Sequence, residues 1–297
     1  MSVSAAYFGL ILIWSTMPLS IQWSTQGMSF SFAVLARMVI GLATAIIILL
    51  AGRTAFPLHP RARLAYVVGG LGLFSSMALT YWGARFVHSG LISVMFGLAP
   101  LMAGILAFFV LGEKSITPLK ILGTLLGVAG LGVIFLQGNS LGNEHFLAGL
   151  TALLFSVFFY SGCLVWLKRI GDDSPPLATT VGSLAVATLL FALLWLGTNR
   201  ELPMSVPLRS GVAVVYLGVF GSAIAFTMYY YVIKHLRATK ISLITLITPV
   251  IAVMLGILFN GERITPSLGF GTALILVGLA AHQHDALLPM LRRSRRD

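Results

Sequence analysis

The sequence predicts an all-α membrane protein with ten transmembrane helices, arranged as two inverted five-helix repeats. Three observations predict this class: an extreme apolar composition, a duplicated motif, and an odd number of spans in each half. Hydrophobic residues make up 58% of the 297 residues and charged residues only 9%. A soluble protein of this size needs far more polar surface. We therefore expect most of the chain to lie in lipid.

Ten apolar segments have the length that crosses a bilayer as a helix, which is roughly 20 residues. They are expected at residues 5–20, 32–51, 65–86, 90–111, 119–137, 146–166, 177–196, 211–233, 241–259 and 267–281. The first segment has neither a basic leader nor a cleavage signal, so it is interpreted as a retained helix.

One stretch of the chain occurs twice. Residues 99–118 read APLMAGILAFFVLGEKSITP, and residues 248–266 read TPVIAVMLGILFNGERITP. Aligning Pro100 with Pro249 also pairs both Gly-Glu dipeptides, and skipping Ser115 then pairs both Thr-Pro dipeptides. Each Thr-Pro is expected to start the next helix, with Thr as N-cap and Pro at the first helical position. Self-similarity over this distance indicates a duplicated unit.

The duplication predicts two domains, a first five-helix repeat at 1–138 and a second at 139–297 that ends in a basic tail. Because five spans are an odd number, the second copy should cross the membrane in the opposite direction. Inverted repeats of this kind are typical of secondary transporters, which hold their substrate near the bilayer midplane.

The distribution of lysine and arginine predicts the orientation. With the amino terminus in the cytoplasm, fourteen of these residues fall in inside segments and four in outside segments. This positive-inside bias places both termini in the cytoplasm. The net charge of +11 is thereby interpreted as a topology signal and as contacts with anionic lipid, not as a nucleic-acid surface.

The ten spans, the duplicated P…GE-(K/R)…TP…G…G pattern and Trp14-Ser15 in the first span resemble the EamA family of the drug/metabolite transporter superfamily. The resemblance implies an exporter in the bacterial inner membrane. It also implies a central cavity lined mainly by the first, third, fourth, sixth, eighth and ninth helices. Its substrates would be amino acids, aromatic ones included, other metabolites or drugs.

Arg37 is the one basic residue placed in the interior of a span, since Arg85 lies at the very end of the third span and is counted with the outside segments. An ion within the membrane is expensive and is by default functional, here as a partner for a substrate carboxylate. The alternative is that its long side chain snorkels to the outer interface or caps a neighbouring carbonyl.

The duplicated acids Glu113 and Glu262 lie at helix ends, next to Lys114 and Arg263. They could carry protons, but the simpler interpretation is that each pairs locally and favours the following helix N-terminus. No carboxylate is placed at midspan depth, which argues against a proton-coupled exporter of cationic drugs. A neutral or zwitterionic solute fits better.

Pro100 and Pro249 fall near the middle of the fourth and ninth spans. Proline frees a carbonyl and kinks a helix, and transporters use such breaks as hinges. We therefore assign both prolines a gating role, with an inert packing kink as the alternative.

Candidate substrate contacts are hydroxyl, aromatic and cationic residues predicted to line the cavity, because such sites are mostly apolar with a few placed polar groups. They are Trp14, Ser15, Arg37, Ser76, Thr80, Tyr81, Phe96, Ser156, Tyr160, Tyr230, Thr245 and Thr248. For each, packing or lipid contact is the alternative, and Tyr81 and Tyr230 could belong to an aromatic belt at the interface.

The leading hypothesis is export of small metabolites, amino acids first, by alternating access. A flippase or carrier for lipid-linked or other anionic metabolites is the second, and Arg37 is its main support. An intramembrane enzyme needs a nucleophile–base pair or a metal cluster at membrane depth, whereas Cys163 and the histidines are scattered. No catalytic residue, cofactor or metal is therefore expected. Since ten helices can enclose a pathway, we expect a monomer, with Gly123 and Gly127 in a seam between the fifth and tenth helices. A dimer interface is the alternative for these two glycines.

Overall fold

The structure is a computed structural model that describes residues 2–112, 117–140, 144–198, 202–236, 238–263 and 265–283. Ten helices follow one another along these described ranges. They are α1 Val3–Ser24, α2 Phe30–Ala51, α3 Pro60–Gly83, α4 in two segments Ser89–Phe96 and Ala99–Leu111, α5 Pro118–Ser140, α6 Glu144–Ile170, α7 Pro176–Thr198, α8 in three segments Leu208–Tyr216, Leu217–Ile224 and Ala225–His235, α9 Ala238–Asn260 and α10 Pro266–His282.

A helix is confirmed at each of the ten predicted positions, with ends that differ by at most about five residues. Across the described ranges nine helices are long and apolar enough to cross a membrane, and α10 is an apolar helix of 17 residues. At 1.5 Å per residue α10 is about 26 Å long, close to the hydrocarbon thickness of roughly 30 Å.

The duplicated Thr-Pro pairs start helices as predicted. The side chain of Thr265 accepts a hydrogen bond from the N–H of Leu268 at 3.3 Å, and Pro266 is the first residue of α10. Thr117 accepts the N–H of Lys120 at 3.3 Å in the same way at the start of α5.

The duplicated glycines end the two helices that precede these starts. Gly112 has φ of 68° and Gly261 has φ of 64°, the left-handed conformation that commonly terminates a helix and that glycine adopts without strain. The pairing predicted for Glu113 and Lys114 lies outside the described residues.

Contacts between helices follow an internal symmetry that exchanges α1–α5 with α6–α10. α1 packs on α8 and α9, and its counterpart α6 packs on α3 and α4. Likewise α2 contacts α8 as α7 contacts α3. The pairs α2–α7, α4–α9 and α5–α10 join each helix to its own counterpart.

A glycine seam joins α5 to α10, as the sequence predicted for Gly123. A Cβ placed on Gly278 would lie 2.5 Å from the carbonyl oxygen of Gly123, so the two backbones touch. Gly127 belongs to this seam as well, because the same Cβ on Gly278 would lie 2.8 Å from the Gly127 backbone nitrogen. A Cβ on Gly127 itself would lie 2.7 Å from Leu101 Cδ1 in α4. Small residues of this kind let membrane helices approach closely.

The two midspan prolines lie in different local structures. α4 is interrupted at Gly97 and Leu98, shortly before Pro100, whereas α9 runs unbroken through Pro249. A Cβ on Gly97 would lie 3.7 Å from Pro249 Cγ, so the interruption is where α4 crosses α9.

The outer surface carries many large apolar side chains. Phe8 is 68% exposed, Ile47 66%, Phe109 76%, Leu125 61% and Leu258 71%. Apolar exposure on this scale marks a surface that faces lipid.

Candidate functional site

Arg37 lies in the interior of the bundle, between α2, α3 and α8. Its side chain is only 3% exposed. Nε donates to Ser222 Oγ at 3.4 Å, and Nη1 lies 3.5 Å from Tyr81 Oη and 3.8 Å from Met77 Sδ. Arg37 is seven residues beyond the start of α2, or about 10 Å into the helix. The snorkelling alternative is therefore wrong.

Local helix geometry places the three residues around the guanidinium. Met77 and Tyr81 are one helical turn apart and so share one face of α3. Ser222 lies in the Leu217–Ile224 segment, which is a π-helix. Its hydroxyl donates to the carbonyl of Leu217, five residues earlier, at 3.1 Å. Single π-helical turns occur frequently at functional sites.

The approach of α2 to α8 depends on glycine. A Cβ on Gly41 would lie 2.8 Å from Ser222 Cβ, and a Cβ on Gly218 would lie 2.6 Å from Ile40 Cγ2. Any larger residue at either position would push the π-helical segment away from Arg37.

The charge of Arg37 has no acidic partner in the described part of the chain. Its neighbours Ser222, Tyr81 and Met77 are neutral, and their distances exceed the usual 2.9–3.0 Å of an N–H···O bond. A buried cation without a counter-ion is costly. An anionic group of a substrate would offset that cost.

Three of the predicted residues form one hydroxyl cluster between α3 and α6. Ser156 Oγ lies 2.9 Å from Ser76 Oγ and 2.7 Å from Thr80 Oγ1, and all three residues are fully buried. Thr80 Oγ1 also donates to the Ser76 carbonyl at 2.9 Å. The hydroxyls thus bond with one another and with backbone, which makes the cluster a polar joint between the two helices.

Four aromatic side chains, three of them predicted, form two pairs. The rings of Trp14 and Tyr229 are 5.2 Å apart across α1 and α8, and those of Phe96 and Tyr160 are 5.8 Å apart across α4 and α6. Beside Trp14, Ser15 is fully buried, and its hydroxyl has no hydrogen-bond partner among the described residues. A buried hydroxyl in this state is a ready contact for a ligand.

The remaining predicted contacts lie on α8 and α9. Thr248 is 7% exposed, and Thr245 Oγ1 accepts a hydrogen bond from Gln283 Nε2 at 3.1 Å. The side chain of Tyr230 lies outside the described residues. The eleven candidates whose side chains are described thus fall into several groups, of which the groups around Arg37 and Ser156 share α3.

Glu262 joins the two halves of the chain at the end of the bundle where α4 begins, called here the Ser89 end. Its carboxylate accepts the N–H groups of Ser89 at 2.8 Å and Gly90 at 3.3 Å, the free donors at the start of α4. The predicted pairing with Arg263 and support of the following helix are wrong: the acid caps a helix of the other repeat. Helix N-termini attract carboxylates through their free N–H groups and dipole.

This cap depends on Gly256. A Cβ at that position would overlap Glu262 Oε2 and lie 2.9 Å from Ser89 Oγ. The glycine therefore leaves the space that the carboxylate occupies.

A hydrogen-bond network extends the contact across the Ser89 end. Asn260 Nδ2 donates to Glu262 Oε1 and to Gln22 Oε1, each at 3.0 Å. Gln22 Nε2 in turn donates to the carbonyls of Ala84 and Val87. We call Gln22, Asn260 and Glu262, with Trp23 and Arg209, the closure network.

The other two members of the closure network stack on each other. The guanidinium of Arg209 lies 3.8 Å from the centre of the Trp23 ring, and Arg209 Nη2 donates to the Phe259 carbonyl at 3.3 Å. This cation–π contact and hydrogen bond stabilise the packing of α1, α8 and α9 at this end of the bundle.

Sequence reasoning missed Gln22 and Asn260 as functional residues. The available signal was position: Asn260 directly precedes the duplicated Gly261-Glu262, where the first copy has Leu111.

A bundle of ten apolar helices with internal symmetry, a buried cation and a polar closure at one end is the architecture of a membrane transporter. The sequence profile of the EamA-like transporter family matches residues 2–136 and 147–281. The chain belongs to this family, which confirms the resemblance noted in the sequence.

Individual relatives match along much of the chain. A probable terminal-alkyne amino-acid exporter of Streptantibioticus cattleyicolor is 24% identical and covers 94% of this chain and 93% of its own. The uncharacterized transporter YyaM of Bacillus subtilis is 23% identical over 80% of each chain. One solved crystal structure superposes with a TM-score of 0.66 at 25% identity, covering 96% of this chain and 97% of its own.

Proposed function

We propose that this transporter is a secondary carrier that exports small metabolites bearing a carboxylate, neutral or zwitterionic amino acids first. The observation that carries the proposal is the buried guanidinium of Arg37, surrounded by neutral partners. The amino-acid exporter that matches 94% of this chain supports the same substrate class.

The substrate carboxylate would bind Arg37 in the fork geometry that guanidinium favours. It would replace the long contacts to Ser222 and Tyr81 with short, charge-assisted ones. The ammonium group of the substrate would then bind a hydroxyl and an aromatic face, for which Ser15 and Trp14 are the candidates. An ammonium group binds an aromatic face through a cation–π contact.

Transport would proceed by alternating access of two inverted repeats. The largest helix contacts are symmetric on exchange of the halves, and five spans per half would make the exchange an inversion. By the positive-inside rule, the Ser89 end would lie outside and both termini in the cytoplasm. The closure network would then be an outer gate, which must break before the substrate leaves, with bending near Pro100 and Pro249.

The remaining expectations complete the proposal. A protein of this kind would reside in the inner membrane of a bacterium and act as a monomer, with a small solute and the bilayer as its partners. Opposite movement of two halves around one site needs no second copy of the chain.

The proposal is tested by counterflow in proteoliposomes. Vesicles loaded with an unlabelled neutral amino acid receive the labelled form outside, with and without a pH gradient. We expect transient accumulation of one amino-acid class and its loss in Arg37→Gln. The matched control is Arg85→Gln, which removes an exposed cation that stacks on Phe30 and Phe86. Equal counterflow in Arg37→Gln and the parent protein would refute the assignment of Arg37.

A second substrate class is favoured by the same cation. Arg37 would equally bind the anionic group of a lipid-linked or phosphorylated metabolite. Absence of counterflow for every amino acid, together with counterflow of an organic anion, would replace the first proposal with this one.

A further inference from the structure

An apolar groove lies between α4, α9 and α10, beside the Ser89 end. Its volume is about 340 Å³, which is the size of a small-molecule site. The floor is Leu91 and Val94 of α4, and the walls include Met254 of α9 and Leu276 of α10. α9 and α10 make few contacts with each other, so the groove opens sideways.

The groove faces the lipid, and its length matches one leaflet. On its α9 wall Val250, Met254 and Ile257 are 45%, 54% and 43% exposed. Its α10 wall runs from Leu268 to Leu276, eight residues or about 12 Å. Half of a hydrocarbon core of roughly 30 Å is about 15 Å. An acyl chain of a single leaflet therefore fits its depth.

The mouth of the groove carries a cation that the protein does not neutralise. Arg263 and Glu262 both line this mouth, but the Glu262 carboxylate is bound to the start of α4 and to Asn260. Within the described ranges no ion pair or hydrogen bond involves the exposed Arg263 side chain. Its charge is thus available to an anion at the membrane interface.

We propose that this groove binds an anionic phospholipid, with one acyl chain between α9 and α10 and its phosphate on Arg263. Arginine suits this role because its planar fork binds phosphate oxygens in pairs. The site is separate from Arg37 and does not depend on the transported solute. A bound lipid would contact Leu91 of α4, two residues from the capped N–H of Ser89, and so would lie against the outer gate of the proposed cycle.

Native mass spectrometry of the purified full-length protein tests the proposal. Phosphatidylglycerol and phosphatidylcholine with identical chains are titrated against the parent and three variants. Arg263→Gln removes the phosphate contact, Ala273→Trp fills the groove from its α10 wall, and Arg85→Gln is the control that removes another exposed cation, one that does not line the groove. Thermal unfolding establishes that each variant folds, and Ala273→Phe replaces Ala273→Trp if the latter does not.

We expect one phosphatidylglycerol per protein to bind more tightly than phosphatidylcholine. Arg263→Gln should weaken phosphatidylglycerol by about tenfold, the loss of one charge-assisted contact. It should weaken phosphatidylcholine less, because the choline ammonium of that lipid already neutralises the phosphate. The groove-filling variant should weaken both lipids, and Arg85→Gln should weaken neither. An equal effect of Arg85→Gln would show general attraction to the surface and overturn the proposal. Unchanged binding in the groove-filling variant would overturn it as well.

Discussion

The carboxylate of Glu262 accepts the backbone N–H of Ser89 at 2.8 Å, so the second half of the chain caps a helix of the first. A cap of this kind satisfies donors that the helix itself leaves free. Because it spans the two halves, any movement that separates α4 from α9 at this end must first break it.

Removing the cap should open the Ser89 end. Loss of a capping side chain costs about 1–2 kcal/mol, so Glu262→Ala should raise the population with this end open by about tenfold. The measurement is labelling of a cysteine at Ser93, one turn beyond Ser89 and 7% exposed, by a membrane-impermeant maleimide, with Cys163 replaced by serine. Asp173→Ala, which removes an exposed acid after α6, should leave the rate unchanged. Equal labelling in Glu262→Ala and its parent would refute the gate.

Gly256→Ala should reproduce the effect of Glu262→Ala without removing an acid, because the added methyl group occupies the carboxylate's position. Labelling at position 93 should increase by a similar factor. Gly197→Ala is the matched control, since a Cβ there meets nothing within 4 Å. A double variant, Gly256→Ala with Glu262→Ala, should add little to either single change, whereas fully additive effects would place Gly256 outside the closure.

The sequence predicted the number, order and type of the helices well. The signals that predicted them are local: runs of about 20 apolar residues, Thr-Pro pairs at helix starts and glycines at helix ends. Each signal determines the structure of only a few neighbouring residues. The duplicated glycines Gly112 and Gly261 illustrate this, because glycine ends a helix through its own backbone conformation and not through distant contacts.

The partners of the polar side chains could not be predicted in the same way. Glu262 was expected to pair with its neighbour Arg263, but its carboxylate accepts hydrogen bonds from the N–H groups of Ser89 and Gly90. The hydrophobic pattern also does not predict the π-helical segment that places Ser222 beside Arg37. Long-range pairing across about 170 residues depends on the packed fold.

Replacing Arg37 should reduce transport without reducing the stability of the fold. Removing a buried cation together with its desolvation cost leaves a protein of similar or greater stability, so Arg37→Met should unfold at the same temperature or higher. Counterflow should fall at least tenfold, and Arg37→Lys should retain part of it with a raised KM, because lysine keeps the charge but not the fork. A lower unfolding temperature with normal counterflow would assign Arg37 a purely structural role.

The hydroxyl cluster should couple α3 to α6. Ser156→Ala leaves Ser76 and Thr80 with fewer partners and should cost about 1 kcal/mol. A double-mutant cycle of Ser76→Ala and Ser156→Ala, followed by thermal unfolding in detergent, should give a coupling energy of at least about 0.5 kcal/mol. Independent effects would mean that the 2.9 Å contact between the two hydroxyls contributes nothing.

The seam of α5 and α10 should tolerate no added carbon. In Gly278→Ala the new methyl group would lie 2.5 Å from the Gly123 carbonyl oxygen, and overpacking of this kind costs about 1–3 kcal/mol. The unfolding temperature should fall, while Gly132→Ala in α5, where a Cβ meets nothing within 4 Å, should leave it unchanged or raise it. Equal temperatures for both variants would show that the helices are not in contact at Gly278.

α4 is interrupted, whereas its counterpart α9 is unbroken. This difference between the two halves predicts how the conformation of each helix would change during transport. In a carrier built from two inverted copies, each copy shows the form that the other takes in the next half of the cycle. With Pro100 aligned to Pro249, the break at Gly97 and Leu98 corresponds to Leu246 and Ile247. When α4 straightens, the bend should therefore pass to α9 at those two residues, so that the total number of bent helices stays constant while the entrance changes sides.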